Sequence, residues 1–206
     1  DMKYCTFVYW SAEYTRATLH KIALCRHYGI PVIAKSLNTA GKEPDAQAGS
    51  EIAAHTLIAA LAGARAFRTA GLLSCAEVYS AEILVIADEI LEFIRRVLKP
   101  EEFSGERLMV DEIRAVGPGQ SYIGRDSTFQ HYRNEYWIPE LFSHANFGQW
   151  TGAGSRSIWG QANEIAKRKI REHTYRISAD VQKELDRIYR RAVNDAKLLD
   201  SFRFGR

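Results

Sequence analysis

The stretch GIPVIAKSLNTAGKEPDAQAGSE, residues 29–51, decides how the rest of the chain is read. Its apolar run, residues 30–34, has the composition of a buried strand. A polar loop follows, carrying Lys35, Ser36, Asn38, Thr39, Lys42, Glu43, Asp45 and Gln47. A helix is expected to start near Ala46. In β/α architectures, polar groups beyond the C-terminal end of a strand sit where ligands bind. The loop is therefore the first place to look for a site.

Outward from this stretch, strands and helices alternate. Residues 4–10 are aromatic and β-branched and are expected to form a strand. Ser11 is placed to cap a helix with Tyr14, Leu19, Ile22 and Ala23 along one stripe, ending at Gly29. Pro31 fits at the opening of the second strand, where a missing donor is tolerated. Residues 46–62 are alanine-rich and expected to be helical, with small side chains that allow close approach to a sheet. Residues 66–73 are expected to be a third strand, with Gly71 marking the close approach of another group. Ser80 caps an amphipathic helix over 81–98, stopped by Pro100.

Strands alternating with helices imply parallel pairing and an α/β fold. Residues 1–99 thus form a βαβαβα segment. Three units cannot close an eight-stranded barrel, so either further strands precede this chain or the sheet is open. The opening at Asp1, running almost directly into an expected strand, favours a fragment. Residues 100–154 change texture: a helix over 107–116, the Gly117-Pro118-Gly119 turn, then an irregular aromatic-rich segment. Residues 155–206 hold two charged helices, over 157–173 and 179–198. The second carries Val181, Leu185, Ile188, Ala192 and Val193 on one face and is expected to dock on something.

A formal charge of +3, with basic residues spread along helices, argues against nucleic acid as the main partner. No run of eighteen apolar residues is present, so no membrane span is expected. Three cysteines in apolar contexts fit a reducing, cytoplasmic compartment. The six histidines lack metal-ligand spacing, so no metal site is expected.

Several motifs, in register, carry a family resemblance. PDAQAGSE at 44–51 follows a Gly-Ile-Pro strand. AVGPG at 115–119 is followed by YIG at 122–124 and TFQHYR at 128–133. WIP at 137–139, Trp150 and the closing helices complete the pattern. Together they resemble the C-terminal portion of the trimethylamine methyltransferase family. The resemblance implies part of a (β/α)8 barrel with additional C-terminal helices. It also implies methyl transfer from a methylated amine to the cobalt of a cognate corrinoid protein. The corrinoid (cobalamin) then comes from the partner and is not bound directly. Some family members use pyrrolysine, whereas others lack it and act on quaternary amines such as glycine betaine. Every residue here is a standard amino acid. Assembly as a homo-oligomer is also expected.

The chemistry selects candidates. A cationic amine calls for aromatic faces. Tyr9, Trp10, Tyr79, Tyr122, Phe129, Tyr132 and Trp137 are available, though aromatics equally fill cores. Trp10, Asn38, Tyr122, His131 and Tyr132 are the expected substrate-binding residues. Asp45, Gln47 and Glu77 are the expected catalytic ones. Asp45 and Gln47 fit helix capping as well as site chemistry, and Glu51 fits a structural role best. Glu77 would serve as an acid if enclosed by apolar neighbours. Trp10, the loop after Ile30-Pro31 and Glu77 are expected to converge at one mouth. A catalytically incompetent binding or assembly module is the alternative to an enzyme.

Overall fold

The structure is a computed structural model that describes residues 1–101 and 103–194. The chain divides into two compact units, Asp1–Arg168 and Lys169–Arg206. In the first unit, helix α1 spans Ala12–His27. The Ser11 hydroxyl accepts from the Tyr14 amide at 3.1 Å, and Gly29 follows the helix at φ 65°. Thr18 and Ile22 are its buried residues.

Residues 4–10 are not a strand, which corrects the sequence expectation. A strand needs a neighbouring backbone to satisfy its amides, and none of the described strands pairs with this segment. Local bonds take that place. The Asp1 carboxylate accepts from the Lys3 and Tyr4 amides, at 2.6 and 3.2 Å, and Cys5 adopts φ 53°. The aromatic content reflects side-chain packing instead: Phe7 stacks on Tyr9 with centroids 5.4 Å apart.

Strands β1 (Ile33–Lys35) and β2 (Ala66–Arg68) pair in parallel, with Ile33 opposite Ala66, Ala34 opposite Phe67 and Lys35 opposite Arg68. Helix α2 (Ala46–Leu61) lies between them in sequence, which makes a βαβ unit. β1 begins two residues after Pro31, later than the apolar run. Along α2 the buried positions Ala48, Ile52, Thr56, Ala59 and Ala60 present mostly small side chains.

The expected third strand, 66–73, is broken in two. Thr69 at φ 76° and Gly71 at φ 82° turn the chain after β2. A second pair then forms, β3 (Leu72–Leu73) antiparallel to β4 (Val78–Tyr79), around a 3-10 turn at Ser74–Ala76. The fold is therefore α/β and mostly helical, with two small sheets. Each described sheet has two strands and neither closes on itself.

Helix α3 (Ala81–Val97) is capped by Ser80, whose hydroxyl accepts from the Ile83 amide at 3.2 Å. Its buried face, Ile83, Ile86, Ala87, Ile90 and Ile94, meets Leu37, Ile52 and Leu73 in the main core. Glu89 is buried on that same face. Its Oε1 accepts from the Leu141 and Phe142 amides at 2.9 and 3.1 Å, which ties a distant loop to α3.

Beyond Pro100, the helix expected over 107–116 is split by Met109 at φ 49° into α4 (Gly105–Leu108) and α5 (Val110–Val116). α6 (Asp126–Glu135) and α7 (Phe147–Gly152) follow, the latter starting at a capping box of Asn146 and Gln149. α8 (Ile158–Glu172) buries Ala162, Ile165 and Ala166. Asn163 of α8 donates to Glu82 of α3. In the second unit, α9 spans Ala179–Asn194. The last residues of the helix expected to 198 lie outside the described residues.

Gly71 offers a clean test of this break. A Cβ there would meet Tyr79 Cε2 at 2.9 Å and Leu84 Cβ at 3.3 Å, at a backbone angle that L residues avoid. Gly71→Ala is expected to cost roughly 1–3 kcal/mol of stability. Gly49→Ala, in α2 with open space around the new methyl, is expected to be neutral or stabilising. Urea denaturation of the two variants reads the difference.

Candidate active site at the strand ends

Beyond β1 the chain stays inside: Ser36, Leu37, Asn38 and Thr39 are all buried. Buried backbone and side-chain polar groups require partners, and α2 together with residues 68–75 supplies them. The Thr56 hydroxyl donates to Ser36 O at 3.1 Å. One residue, Glu51, holds the loop itself. Its Oε2 accepts from the Thr39 hydroxyl at 2.5 Å and from the Ala40 amide at 2.9 Å, while Oε1 accepts from Gln47 Nε2 at 2.8 Å. The Gly41 amide then donates to Thr39 Oγ1 at 2.8 Å.

The same loop is bonded to the segment after β2. Thr39 N donates to Leu72 O at 3.1 Å, Ser74 N to Gly41 O at 2.8 Å and Cys75 N to Thr39 O at 3.0 Å. Asn38 bridges to Leu72 in parallel register. Two strand-end loops, 36–45 and 69–77, are thereby joined into one polar rim. The second holds a run of left-handed residues: Thr69, Gly71, Ser74, Cys75 and Ala76. Such strain concentrates where surrounding contacts over-determine the backbone.

At the centre of the rim is Asn38, fully buried. Its Oδ1 accepts from the Thr69 hydroxyl at 2.7 Å, and its Nδ2 has no hydrogen-bond partner among the described residues. Asp45 is exposed and caps α2, accepting from the Ala48 amide at 3.1 Å. Gln47 lies one turn away, engaged with Glu51. Glu77 stands on the other loop, exposed rather than enclosed by apolar neighbours, and accepts from the Ser74 hydroxyl at 2.8 Å. Asn38 and Asp45 thus lie on one of the two bonded loops and Glu77 on the other, with Gln47 in the first turn of α2.

Trp10 is placed elsewhere. It packs edge-on against His55 with ring centroids 4.9 Å apart, between α1 and α2. His55 is ten residues beyond Asp45, which is about 15 Å along a helix. Tyr9 lies beside this group, with the Lys35 ammonium 3.5 Å from its ring centroid. Tyr122, His131 and Tyr132 sit on and before α6, all exposed, and Arg133 Nε donates to the Tyr132 hydroxyl at 2.7 Å. No hydrogen bond among the described residues joins them to the strand-end loops. Also among the described residues, no three His, Cys, Asp or Glu side chains are grouped to hold a metal ion.

His55 is the titratable group that sequence reading passed over. It is 3% exposed. The Thr15 hydroxyl is 3.1 Å from its Nδ1, and Nε2 has no partner among the described residues. Burial, and secondarily the charge of Lys21, push its pKa down from 6.5 to about 4. The other residue undervalued by sequence is Glu51. The Gln47–Glu51 spacing of four on one helix was the available signal for it.

A parallel strand pair joined through a helix, with polar groups beyond its C-terminal ends, defines an α/β protein. The sequence profile of the family described as trimethylamine methyltransferase (MTTB) matches residues 1–195, and the chain belongs to that family. Trimethylamine methyltransferase MttB1 of Methanosarcina acetivorans is 30% identical over 195 residues, covering 93% of this chain and 39% of the relative. Trimethylamine methyltransferase MttB of Methanosarcina barkeri is 31% identical over the same span and shares. Glycine betaine methyltransferase of Desulfitobacterium hafniense is 29% identical over 128 residues, 62% of this chain and 27% of the relative. The chain therefore spans about two fifths of the length of its trimethylamine methyltransferase relatives.

The buried His55 sets a pH dependence. The unfolded chain binds a proton near pH 6.5, the folded one only near 4. Protonation thus favours unfolding as pH falls through this interval, and the His55 contribution to stability is intact above 6.5. The urea midpoint is expected to fall between pH 6.5 and about 4 more steeply in the native chain than in His55→Phe. Parallel pH curves for the two would contradict this.

Proposed function

We infer that the protein to which this chain belongs moves a methyl group from a methylated amine, such as trimethylamine or a quaternary amine, to the cobalt of a cognate corrinoid protein. The family match over residues 1–195 carries this reading. In it, residues 1–99 belong to a β/α barrel and 100–154 shape its mouth or the corrinoid-protein docking surface. The barrel is completed by sequence outside this chain, and the setting is cytoplasmic.

An amine methyl is a poor electrophile, so the reaction needs the strong cobalt nucleophile that the partner's corrinoid supplies. The tasks left to the protein are positioning and desolvation. No residue of this chain is assigned to the cobalt. The strand-end rim presents an amide, hydroxyls and carboxylates, a donor set suited to an organic amine. Asn38, held by Thr69 and carrying an unpartnered amide nitrogen in a buried position, orients the substrate. Asp45, Gln47 and Glu77 surround it with carboxylate and amide groups, of which the exposed Asp45 and Glu77 carry negative charge toward a cation. Tyr122, His131 and Tyr132 add aromatic faces from the α6 region, and Trp10 supports the α1–α2 side.

The test is methyl transfer by the whole protein to its corrinoid partner, with a panel of tertiary and quaternary methylated amines. Transfer from at least one amine is expected. Asn38→Leu is expected to lower kcat/KM by about 10²-fold, the scale of a misplaced substrate. No transfer from any amine would overturn the reading in favour of a non-catalytic binding or assembly module.

A further inference from the structure

β1 and β2 end on two basic residues set side by side. Lys35 closes β1, Arg68 closes β2, and the two are opposite each other in the parallel register. They also share a face of the sheet. Ala34 and Phe67 turn toward the helices and pack with Ile22 of α1 and Ala59 of α2. Side chains alternate along a strand, so Lys35 and Arg68 rise from the other face. Arg68 is exposed and Lys35 half-buried. Among the described residues, no ion pair involves either one. The acids of the rim are engaged elsewhere. Glu51 holds Thr39, Ala40 and Gln47, Asp45 holds the Ala48 amide, and Glu77 holds Ser74.

Like charges opposite each other on neighbouring strands repel, so the pair costs stability unless an anion lies between them. A surface lysine ordinarily turns away into water. Lys35 instead is held, its ammonium 3.5 Å from the Tyr9 ring centroid. That contact positions the charge and leaves it unneutralised. Tyr14 stands edge-on to Tyr9, with centroids 5.8 Å apart. Burial first, and the Tyr9 phenol second, raise the Tyr14 pKa, while the Arg68 charge lowers it. Both cations therefore act on one aromatic group at the C-terminal strand ends, where β/α proteins bind ligands. The chain joins this pair to the rim. Thr69 follows Arg68 and donates to Asn38 Oδ1, and Leu37 N donates to Arg68 O at 3.3 Å. The strand tips are thus positive, and Asp45 and Glu77 on the loops beyond them are negative.

We propose that Lys35 and Arg68 form a carboxylate subsite at the strand ends, which selects a zwitterionic methylated amine over one without an acid group. The proposal rests on the methyl-transfer reading of the same strand ends. A guanidinium presents a fork of N–H donors that matches a carboxylate, and an ammonium adds a second charge. The ammonium end of such a substrate then lies toward Asn38 and the carboxylates of the rim. An amine without an acid group gives the two cations nothing to hold and meets their repulsion instead. Lys35 and Arg68 determine specificity and take no part in the transfer step.

Calorimetric titration of the whole protein tests it, with glycine betaine, tetramethylammonium and inorganic phosphate as probes. Glycine betaine is expected to bind about tenfold tighter than tetramethylammonium, the scale of one charge-assisted hydrogen bond. Lys35→Met and Arg68→Met are each expected to remove most of that preference by weakening glycine betaine. Tetramethylammonium is expected to bind these variants as tightly as the native protein, or tighter. Arg68→Lys, which keeps the charge, is expected to retain part of the preference. Circular dichroism checks that each variant is folded. Equal affinity of the native protein for the two amines would overturn the proposal. So would a preference that survives both substitutions. Phosphate binding that is lost in both variants, without any preference for glycine betaine, would overturn the carboxylate assignment. Methyl transfer to the corrinoid partner separates this proposal from the reaction it rests on. Transfer from amines with no preference for a carboxylate would overturn the subsite and leave the reaction standing. A preference that depends on Lys35 and Arg68, in a protein that transfers no methyl group, would support the subsite and overturn the reaction.

Discussion

The Glu51 carboxylate is the contact on which the strand-end rim depends. A loop of ten residues between a strand and a helix has no secondary structure to satisfy its polar groups. Here a single side chain, half-buried on α2, takes a hydroxyl, a backbone amide and a neighbouring amide side chain. Hydrogen bonds to a charged acceptor are stronger than neutral ones, and removing the acceptor would strand three donors at once. With Thr39 fixed in this way, its backbone can pair with Leu72 and Cys75, and the two strand-end loops become one surface. Asn38 owes its position to that surface, one residue before the anchor.

Much of this was legible in residue patterns, and the rest failed for identifiable reasons. α1, α2 and α3 are announced by Ser11, Asp45 and Ser80, each of which caps as its residue type predicts. Caps are local, so sequence shows them. The parallel pairing of β1 with β2 followed from strand–helix–strand alternation. The strand expected at 4–10 failed because β propensity measures fit to a pleated, half-buried surface, and no described backbone offers that surface. The break between β2 and β3 was half visible. Gly71 signalled a close approach, and the side chain of Tyr79 is what approaches it, but a left-handed Thr69 could not be anticipated from a β-branched residue.

The site shows the same division. Polar residues beyond β1 were identifiable because strand ends are where such groups gather, and Asn38, Asp45 and Glu77 lie on the two bonded loops. Their partners were not identifiable, because Thr69, Leu72 and Cys75 reach Asn38 and Thr39 only through the parallel crossover. Burial was equally hidden. Glu89 and His55 sit on helix faces where their residue types predict solvent, and each is held by a long-range contact: backbone amides more than fifty residues away for Glu89, the Thr15 hydroxyl for His55. Among the described residues, three buried side-chain nitrogens are left without partners: Asn38 Nδ2, Trp10 Nε1 and His55 Nε2. Only the first belongs to the rim, which is why the rim, and not the α1–α2 aromatic group, is the better candidate for substrate contact.

The central claim is that a methylated amine binds at this rim. It is tested most directly by titrating trimethylamine and tetramethylammonium into the whole protein, isotope-labelled at asparagine and backbone amides, and following the nuclear magnetic resonance signals. The account predicts saturable shifts of the Asn38 side-chain amide and of the backbone amides at 36–45 and 69–77. Amine binding that leaves those signals unmoved would contradict it.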